Sequence, residues 1–384
     1  MNILFIDDEP AILRSIKRTL RGSLSKHHLD LVDNPQEVNE YLQRTHYELI
    51  VSDMRMPGKS GCHVLAEVEA QSPDTVRAIL SGYSDEEQAV KAAQHAHLFL
   101  SKPFEPKAIV DLVQRTERLL AMPLTDHLRR VLGNLKALAP APKLFRSLTD
   151  TLNSGTKTAT DIANIIKQDM AMTSKFLQLT NSAFFGVSQP VTDLERAVTL
   201  LGTEIIKGLI LHYELFGKQQ TSQPWQEALY RESQHTARLA KSIVSSQKGD
   251  RSLLESTFLA GLLHDTGRLV LSRLPEGAAH QDELFVALWG KELCEKEMQL
   301  FGAHHGWVGA YLLRLWGFSD PVVEAVALHH HPSESGDRGF TALTAVHAAD
   351  CLLHQADETA ALDETYLASI GCAESLPEWR RLAE

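Results

Sequence analysis

The stretch Leu49-Ile50-Val51-Ser52-Asp53-Met54-Arg55-Met56-Pro57-Gly58 constrains the fold more than any other part of the chain. An unbroken apolar run suits a strand buried on both faces. This one stops at a carboxylate and then a Pro-Gly turn, so Asp53 is expected at the C-terminal end of a strand, facing a crevice. A second apolar run, Asn2-Ile3-Leu4-Phe5-Ile6, ends in Asp7 and Asp8. If both runs belong to one parallel sheet, the three acids converge on one edge, and their mutual repulsion calls for a cation.

Between residues 1 and 120, short apolar runs alternate with amphipathic helical patterns such as Ile12, Leu13, Ile16 and Leu20. That alternation is the signature of a doubly wound α/β sheet. Five strands are predicted, at Asn2–Ile6, Asp30–Val32, Leu49–Ser52, Val76–Leu80 and Leu98–Leu100, with Pro10, Pro35 and Pro106 near helix starts, where proline is tolerated. The fourth predicted strand is followed by Ser81-Gly82 and the fifth by Ser101-Lys102-Pro103-Phe104. A hydroxyl and an ammonium thus join three carboxylates at one sheet edge. The combination suits a phosphorylated aspartate: Asp7, Asp8 and Asp53 around a divalent cation, with Lys102 and Ser81 on the oxygens of a phosphoryl group carried by Asp53. The competing reading is an acidic surface rim with a solvated lysine.

The motifs Phe5-Ile6-Asp7-Asp8-Glu9-Pro10, Asp53 to Gly61, Leu80-Ser81-Gly82 and Lys102-Pro103-Phe104 resemble the receiver domain of two-component response regulators. The resemblance implies a five-stranded, flavodoxin-like parallel sheet with Asp53 as phosphoacceptor. It also implies Mg2+ held by Asp7, Asp8, Asp53 and the backbone carbonyl of Arg55, Lys102 on the phosphate, and Ser81 with Phe99 as the switch pair. From the residues alone, Phe99 reads better as an ordinary core aromatic. A receiver domain over residues 1–120 implies a sensor histidine kinase as partner.

With 384 residues and 43% apolar content, the chain has room for two or three globular domains. Its formal charge of −11 leaves no basic excess for broad nucleic-acid or anionic-membrane binding, and no helix-turn-helix pattern with a basic face is present, so direct DNA binding is not expected. Cys62, Cys294, Cys351 and Cys372 include no CxxC pair, which fits a reducing compartment. With no signal-peptide pattern and no bilayer-length apolar run, a cytoplasmic location is expected.

Residues 121–139 read as a short, stiff helical linker, interrupted by Met122-Pro123, with Pro140-Ala141-Pro142 marking entry to a new domain at 140–384. Beyond it the pattern is helical throughout, as over Asp161–Thr180 and over Leu194–Leu211 with its break at Gly202. Gln168-Asp169-Met170, the turn Asn181 to Gly186, Pro190-Val191-Thr192, Glu195-Arg196-Ala197-Val198 and Leu201-Gly202 resemble the HDOD domain, an all-α relative of the HD phosphohydrolases. The stretches Ala260 to Arg268 and His304 to Phe318 strengthen the likeness. The resemblance places candidate metal ligands at His264, Asp265, His305, His329, His330 and Asp350, with Glu232 at the position of the superfamily's first histidine and His235 one turn further on. Imidazoles and carboxylates of this kind suit iron, manganese or zinc.

Three departures separate the chain from the catalytic forms: Glu232 in place of histidine, Arg268 in place of the lysine of HDxGK, and no Gly-Tyr-Pro loop after His329-His330, where the chain reads His331-Pro332-Ser333-Glu334. Guanidinium binds phosphate but does not readily serve as an acid. The expected protein is therefore a response regulator whose HDOD output works by binding a downstream protein, with a homodimer among the assemblies the sequence admits. The alternative is a phosphorylation-controlled, metal-dependent phosphohydrolase of a nucleotide or cyclic dinucleotide. A third option is that the HDOD cavity senses a nucleotide ligand. Against any metal reading stands a buried, hydrogen-bonded cluster of histidines and acids.

Overall fold

The computed structural model describes residues 1–23, 27–81, 95–133, 158–167, 193–212, 223–281, 283–354 and 362–384, together with positions 148, 172, 173, 176 and 191. The chain forms two compact units, one running to Thr156 and the other containing almost all of the remainder.

The first unit runs β1 (Asn2–Ile6), α1 (Pro10–Ser23), β2 (His28–Val32), α2 (Val38–Arg44), β3 (Leu49–Asp53), α3 (Gly61–Gln71), β4 (Val76–Ser81), β5 (Leu98–Ser101) and α4 (Pro106–Leu120). All strand pairings are parallel, in the order β2-β1-β3-β4-β5. β2 starts at His28, two residues before the apolar pattern does, because His28 pairs with Asn2 at the first rung. β3, β4 and β5 each run one residue past the apolar pattern, onto Asp53, Ser81 and Ser101, so the polar residues form the last rungs of the sheet.

Alternation sends Leu4, Ile6 and Ile50 to one face of the sheet, where they pack with Val38 of α2 and Val64, Leu65 and Val68 of α3 in a fully buried cluster. Proline opens α1 and α4, where its missing N–H costs nothing. Ser60 caps α3 by accepting from the His63 amide. After Met122-Pro123 the chain forms α5 (Asp126–Gly133); the rest of the expected helical linker, residues 134–139, and the Pro-Ala-Pro lie outside the described residues.

Every described element of the second unit is helical: α6 (Ala159–Lys167), α7 (Leu194–Leu201), α8 (Thr203–His212), α9 (Pro224–Ser246), α10 (Arg251–Leu263), α11 (Thr266–Leu271), α12 (Pro275–Ala279), a π-helical turn (Glu283–Ala287), α13 (Gly290–Phe301), α14 (His305–Leu315), α15 (Asp320–Leu328), α16 (Ala342–Leu353), α17 (Glu364–Ser369) and α18 (Leu376–Ala383), with short 3₁₀ turns at Pro332–Glu334 and Ala373–Ser375. The long stripe broken at Gly202 is two helices, α7 and α8. Carboxylates of Asp193, Asp250 and Asp363 accept amides of the first turns of α7, α10 and α17. The centre is built from α9, α10, α15 and α16, which pack on one another. α16 is buried from Ala342 to Leu352, so any polar side chain it carries must be satisfied from within.

Candidate functional site

At the C-terminal edge of the first unit's sheet, Lys102 bridges two acids. Its Nζ lies 2.8 Å from Asp7 Oδ2 and 2.6 Å from Asp53 Oδ1. The second oxygen of each acid is held by backbone: Asp7 Oδ1 accepts from the Glu9 amide at 2.9 Å and Asp53 Oδ2 from the Arg55 amide at 3.1 Å. Both acids are buried and Asp8 is half-buried beside them. Burial pushes the Asp7 carboxyl above its ordinary range despite the hydrogen bond from Lys102, and the Asp53 charge adds to the push. Burial also works against the charge on Lys102, but its bonds to Asp53 and Asp7 outweigh it and raise its pKa. The edge thus sets two carboxylates on one ammonium, with Asp8 next to Asp7 in the chain, and carboxylate oxygens of this kind suit a hard divalent cation such as Mg2+. Ser81 closes β4 and Phe99 lies within β5, opposite Ile79; their side chains and Gly82 lie outside the described part.

The second unit assembles a denser cluster from helix ends. His264 follows the last residue of α10 and Asp265 precedes the first of α11, so one tight junction aims both inward. His305 opens α14, His329 and His330 follow α15, and Asp350 projects from the buried body of α16. All six are at most 6% exposed, so their charges and lone pairs must be met within the cluster. Gly267 permits the approach: a Cβ there would lie 2.0 Å from the His305 carbonyl oxygen.

Hydrogen bonding fixes three ring orientations. His264 Nδ1 donates to the Gly261 carbonyl at 2.8 Å, His329 Nδ1 to the Val326 carbonyl at 2.8 Å and His305 Nδ1 to Glu297 Oε2 at 2.7 Å. The three Nε2 atoms therefore face inward. His305 Nε2 is 3.2 Å from His329 Nε2 and 3.3 Å from Asp265 Oδ1. His264 Nε2 is 3.5 Å from Asp350 Oδ1, and His330 Nδ1 is 3.7 Å from Asp350 Oδ2. Neither His264 Nε2 nor either Asp350 oxygen has a hydrogen bond among the described residues.

The charges settle unevenly. Burial opposes a proton on His264, but Asp265 and Asp350 outweigh it and lift its pKa to about 9. Burial and the charges of His264 and His305 hold His329 down to about 3, and burial with the same neighbours keeps His330 well below the imidazole range. Burial would raise Asp265, yet His264, Arg268 and the flanking imidazoles hold it below the carboxylate range. Without a metal the cluster carries the His264 imidazolium against two carboxylates and keeps the His329 and His330 rings neutral. Two donor sets within it, Asp265 with His305, His329 and His330, and His264 with His329 and Asp350, bring their ligand atoms within 4.8 Å of one another. Neutral imidazole nitrogens with carboxylates suit a divalent transition metal, and the unsatisfied Nε2 and Asp350 oxygens are the observation that fits one here.

Of the residues singled out from the sequence, His235 does not join the cluster. It is exposed on α9, and burial together with Arg238 and Arg231 lowers its pKa. Three residues advance a helix by about 300°, and from the half-buried Glu232 that step reaches solvent. The buried face continues instead through Ser233, Thr236 and Ala237. Glu232 itself senses the cluster: burial first, then the Asp265 charge, raises its pKa. Gln168 to Met170, the 181–186 turn, Pro190 and Thr192 lie outside the described residues.

Of the cluster's neighbours, Arg268 stands out in the sequence, whereas Glu297, Trp289, His354 and His347 do not. Glu297 is fully buried and receives both the amide and Nδ1 of His305. Arg268 donates to Asp265 Oδ2 at 3.2 Å and to the Leu284 carbonyl at 3.3 Å, and its guanidinium carbon lies 4.8 Å from the Trp289 ring centroid. Trp289 stacks on His354, whose Nδ1 donates to the Asp350 carbonyl. His347 is structural: it donates from Nδ1 to the His329 carbonyl and accepts the Asp363 amide at Nε2.

The HDOD domain model matches residues 138–332 and the response regulator receiver domain model residues 3–114. An uncharacterized protein of Treponema pallidum is 27% identical over 173 residues, 44% of this chain and 33% of the relative. The response regulator protein FleR of Pseudomonas aeruginosa is 32% identical over 114 residues, 29% of this chain and 24% of FleR. The chain thus spans about a third or less of the length of these curated relatives. Among solved structures, an HDOD domain protein of Geobacter sulfurreducens has 21% identity and a TM-score of 0.45, covering 64% of this chain and 92% of its own. A putative metal-dependent phosphohydrolase of Shewanella amazonensis has 19% identity and a TM-score of 0.48, covering 71% and 100%. Among the described residues no helix is long and apolar enough to cross a membrane. The receiver match lies within the first unit and the HDOD match takes in just over half of the sequence, so this chain belongs to the HDOD family and carries an N-terminal response regulator receiver domain.

Proposed function

We propose that the chain is the response regulator of a two-component phosphorelay: a sensor histidine kinase phosphorylates Asp53, and the receiver controls an HDOD output that acts by binding a downstream protein. The observation that carries this reading is the bridge from Lys102 to both Asp53 and Asp7. A phosphoryl group on Asp53 adds charge beside an ammonium already in place. Asp7, Asp8 and Asp53, with the Arg55 carbonyl, would hold Mg2+, which would offset the acids' repulsion. Incubation with a small phosphodonor and Mg2+ should give an acyl phosphate in the intact chain and none in Asp53→Asn. Equal labelling of the two would sink the assignment.

The binding role of the output is supported by the state of Arg268. Its guanidinium bonds Asp265 and the Leu284 carbonyl and lies over the Trp289 ring. A second reading, a metal-dependent phosphohydrolase, is favoured by the inward-facing Nε2 atoms of His264, His305 and His329 beside Asp265 and Asp350. These residues, with His330, would hold iron, manganese or zinc, which when bound would supply a Lewis acid and a water of lowered pKa. Within that reading Glu232, half-buried at the cluster's rim, is a carboxyl whose pKa is raised by burial and then by the Asp265 charge. Elemental analysis with a turnover assay on nucleotides and cyclic dinucleotides separates the readings: bound metal without turnover leaves a binding output, and turnover lost in His264→Ala establishes the hydrolase.

A further inference from the structure

A buried arginine ties the helix following the receiver's last sheet helix to the two strands whose far ends carry the proposed phosphorylation machinery. Arg77, in β4, has no exposed surface, and a guanidinium persists in such a place only where its N–H groups find acceptors. Nε donates to the His95 carbonyl at 2.6 Å, Nη1 to the Pro73 and Thr75 carbonyls at 2.9 and 3.2 Å, and Nη2 to the Gly133 carbonyl at 2.7 Å. Glu69 supplies counter-charge, with Oε1 3.7 Å from Nη2 and Oε2 2.6 Å from His95 Nδ1.

His97, the residue before β5, adds a second donor to the same helix end. Its Nδ1 accepts the Arg77 amide at 3.0 Å, so Nε2 carries the ring proton and faces the Gly133 oxygen at 3.3 Å. Burial, then the Arg77 charge, holds His97 well below the imidazole range and so in this neutral form. Gly133, the last residue of α5, lets the backbones meet: a Cβ there would lie 2.0 Å from the Pro73 carbonyl oxygen. Arg77 and His97 sit at the starts of β4 and β5, whereas Ser81 and Lys102 sit at their ends, about 13 Å along the strands. The two strands are joined by consecutive rungs from Ala78–Leu98 to Ser81–Ser101.

We propose that Arg77 and His97 form a relay that makes the end of α5 part of the receiver and delivers rearrangement at the phosphorylation edge to the Gly133 carbonyl at the opposite edge. The inference rests on Asp53 being the phosphoacceptor. A paired strand is a stiff element whose two ends cannot move independently, and a contiguous hydrogen-bond network at its start passes that motion to the helix.

Hydrogen exchange of the full-length protein, with Mg2+ and with or without beryllofluoride, tests this on two peptides, one covering residues 53–61 and one covering 126–133. In the natural chain beryllofluoride should slow exchange at 53–61 and change it at 126–133 by about fivefold or more. Gly133→Ala leaves the sheet core intact and should keep the response at 53–61 while exchange at 126–133 becomes fast and indifferent to beryllofluoride; Arg77→Met should behave likewise where it folds. A response at 53–61 with none at 126–133 in the natural chain, or a natural response at 126–133 in Gly133→Ala, overturns the relay. No response at either peptide overturns the phosphoacceptor reading and the relay with it.

Discussion

Glu297 accepts two hydrogen bonds from His305, one from the backbone amide at 2.8 Å and one from the imidazole Nδ1 at 2.7 Å. Both end on Oε2, in a place with no solvent. The double contact settles which ring nitrogen carries the proton and turns Nε2 toward Asp265 and His329. Glu297→Gln keeps the volume but removes the charge that makes His305 a strong donor, so affinity of the cluster for Zn2+ should fall by roughly 10- to 100-fold. Competition against a chelator of known affinity measures it, and unchanged affinity would show that shape alone orients the ring.

Gly267→Ala should separate α11 from α14. The added methyl would meet the His305 carbonyl oxygen at 2.0 Å and the Gly309 amide nitrogen at 2.9 Å, both backbone atoms that no rotamer change can move aside. A loss of about 2 kcal/mol or more follows from overpacking of this kind. Gly336→Ala, with nothing within 4 Å, is the matched control. Of the five tryptophans, Trp225, Trp289, Trp307 and Trp379 belong to the second unit and Trp316 is grouped with the first, so a urea titration followed by their fluorescence reads mainly the second unit. A midpoint for Gly267→Ala equal to that of the control would refute the close approach.

The contrast between Asp53 and Glu297 explains how much of this was legible beforehand. Strands buried on both faces write themselves as unbroken apolar runs, so the acids that end them stand out, and Asp7, Asp53 and Lys102 meet as their positions imply. Glu297 sits in the run Glu295-Lys296-Glu297, which reads as a solvated helix face, and only the packing of α13 turns it inward. Helical phase misled at His235, because a three-residue step resembles a shared face until the neighbouring helices decide where that face ends. Arg77 gave no signal at all: its acceptors are backbone carbonyls, which any sequence supplies.

Acid should weaken the metal-free helical unit. His304 and His329 are held down to about 2 and about 3, burial being the first cause in each, with His305 and His264 respectively the largest charged neighbours. The unfolded chain takes up protons near pH 6.5 that the folded one refuses, so stability falls as pH drops below 6.5, by about 1 kcal/mol per pH unit for each such ring. His264 works in the other direction. Its pKa, lifted to about 9, contributes stability that is fully present below pH 6.5 and is lost as pH rises through about 9. Tryptophan-detected urea midpoints in chelator should therefore peak near neutrality and fall on both sides. A midpoint that stays flat from pH 7 to 5 would mean that the cluster takes up protons without unfolding. Zn2+ affinity should rise across the upper window, since the metal displaces the His264 proton.

Lys102→Met tests whether lysine and Mg2+ contend for the same oxygens. In the metal-free protein Nζ occupies Asp7 Oδ2 and Asp53 Oδ1, so a cation entering between these acids must share them with an ammonium. Removing that charge keeps most of the side chain's volume but leaves two buried carboxylates uncompensated. The receiver without Mg2+ should lose about 1–3 kcal/mol, because Asp7 is almost wholly desolvated. Mg2+ should bind roughly tenfold more tightly, since one positive charge at contact range is worth a few kcal/mol at moderate dielectric and part of that is returned to the incoming ion. Calorimetric titration gives the affinity, and the added stability in saturating Mg2+ should be larger in the variant than in the natural chain. Weaker Mg2+ binding in Lys102→Met would mean that the lysine orders the acids for the metal instead of competing with it.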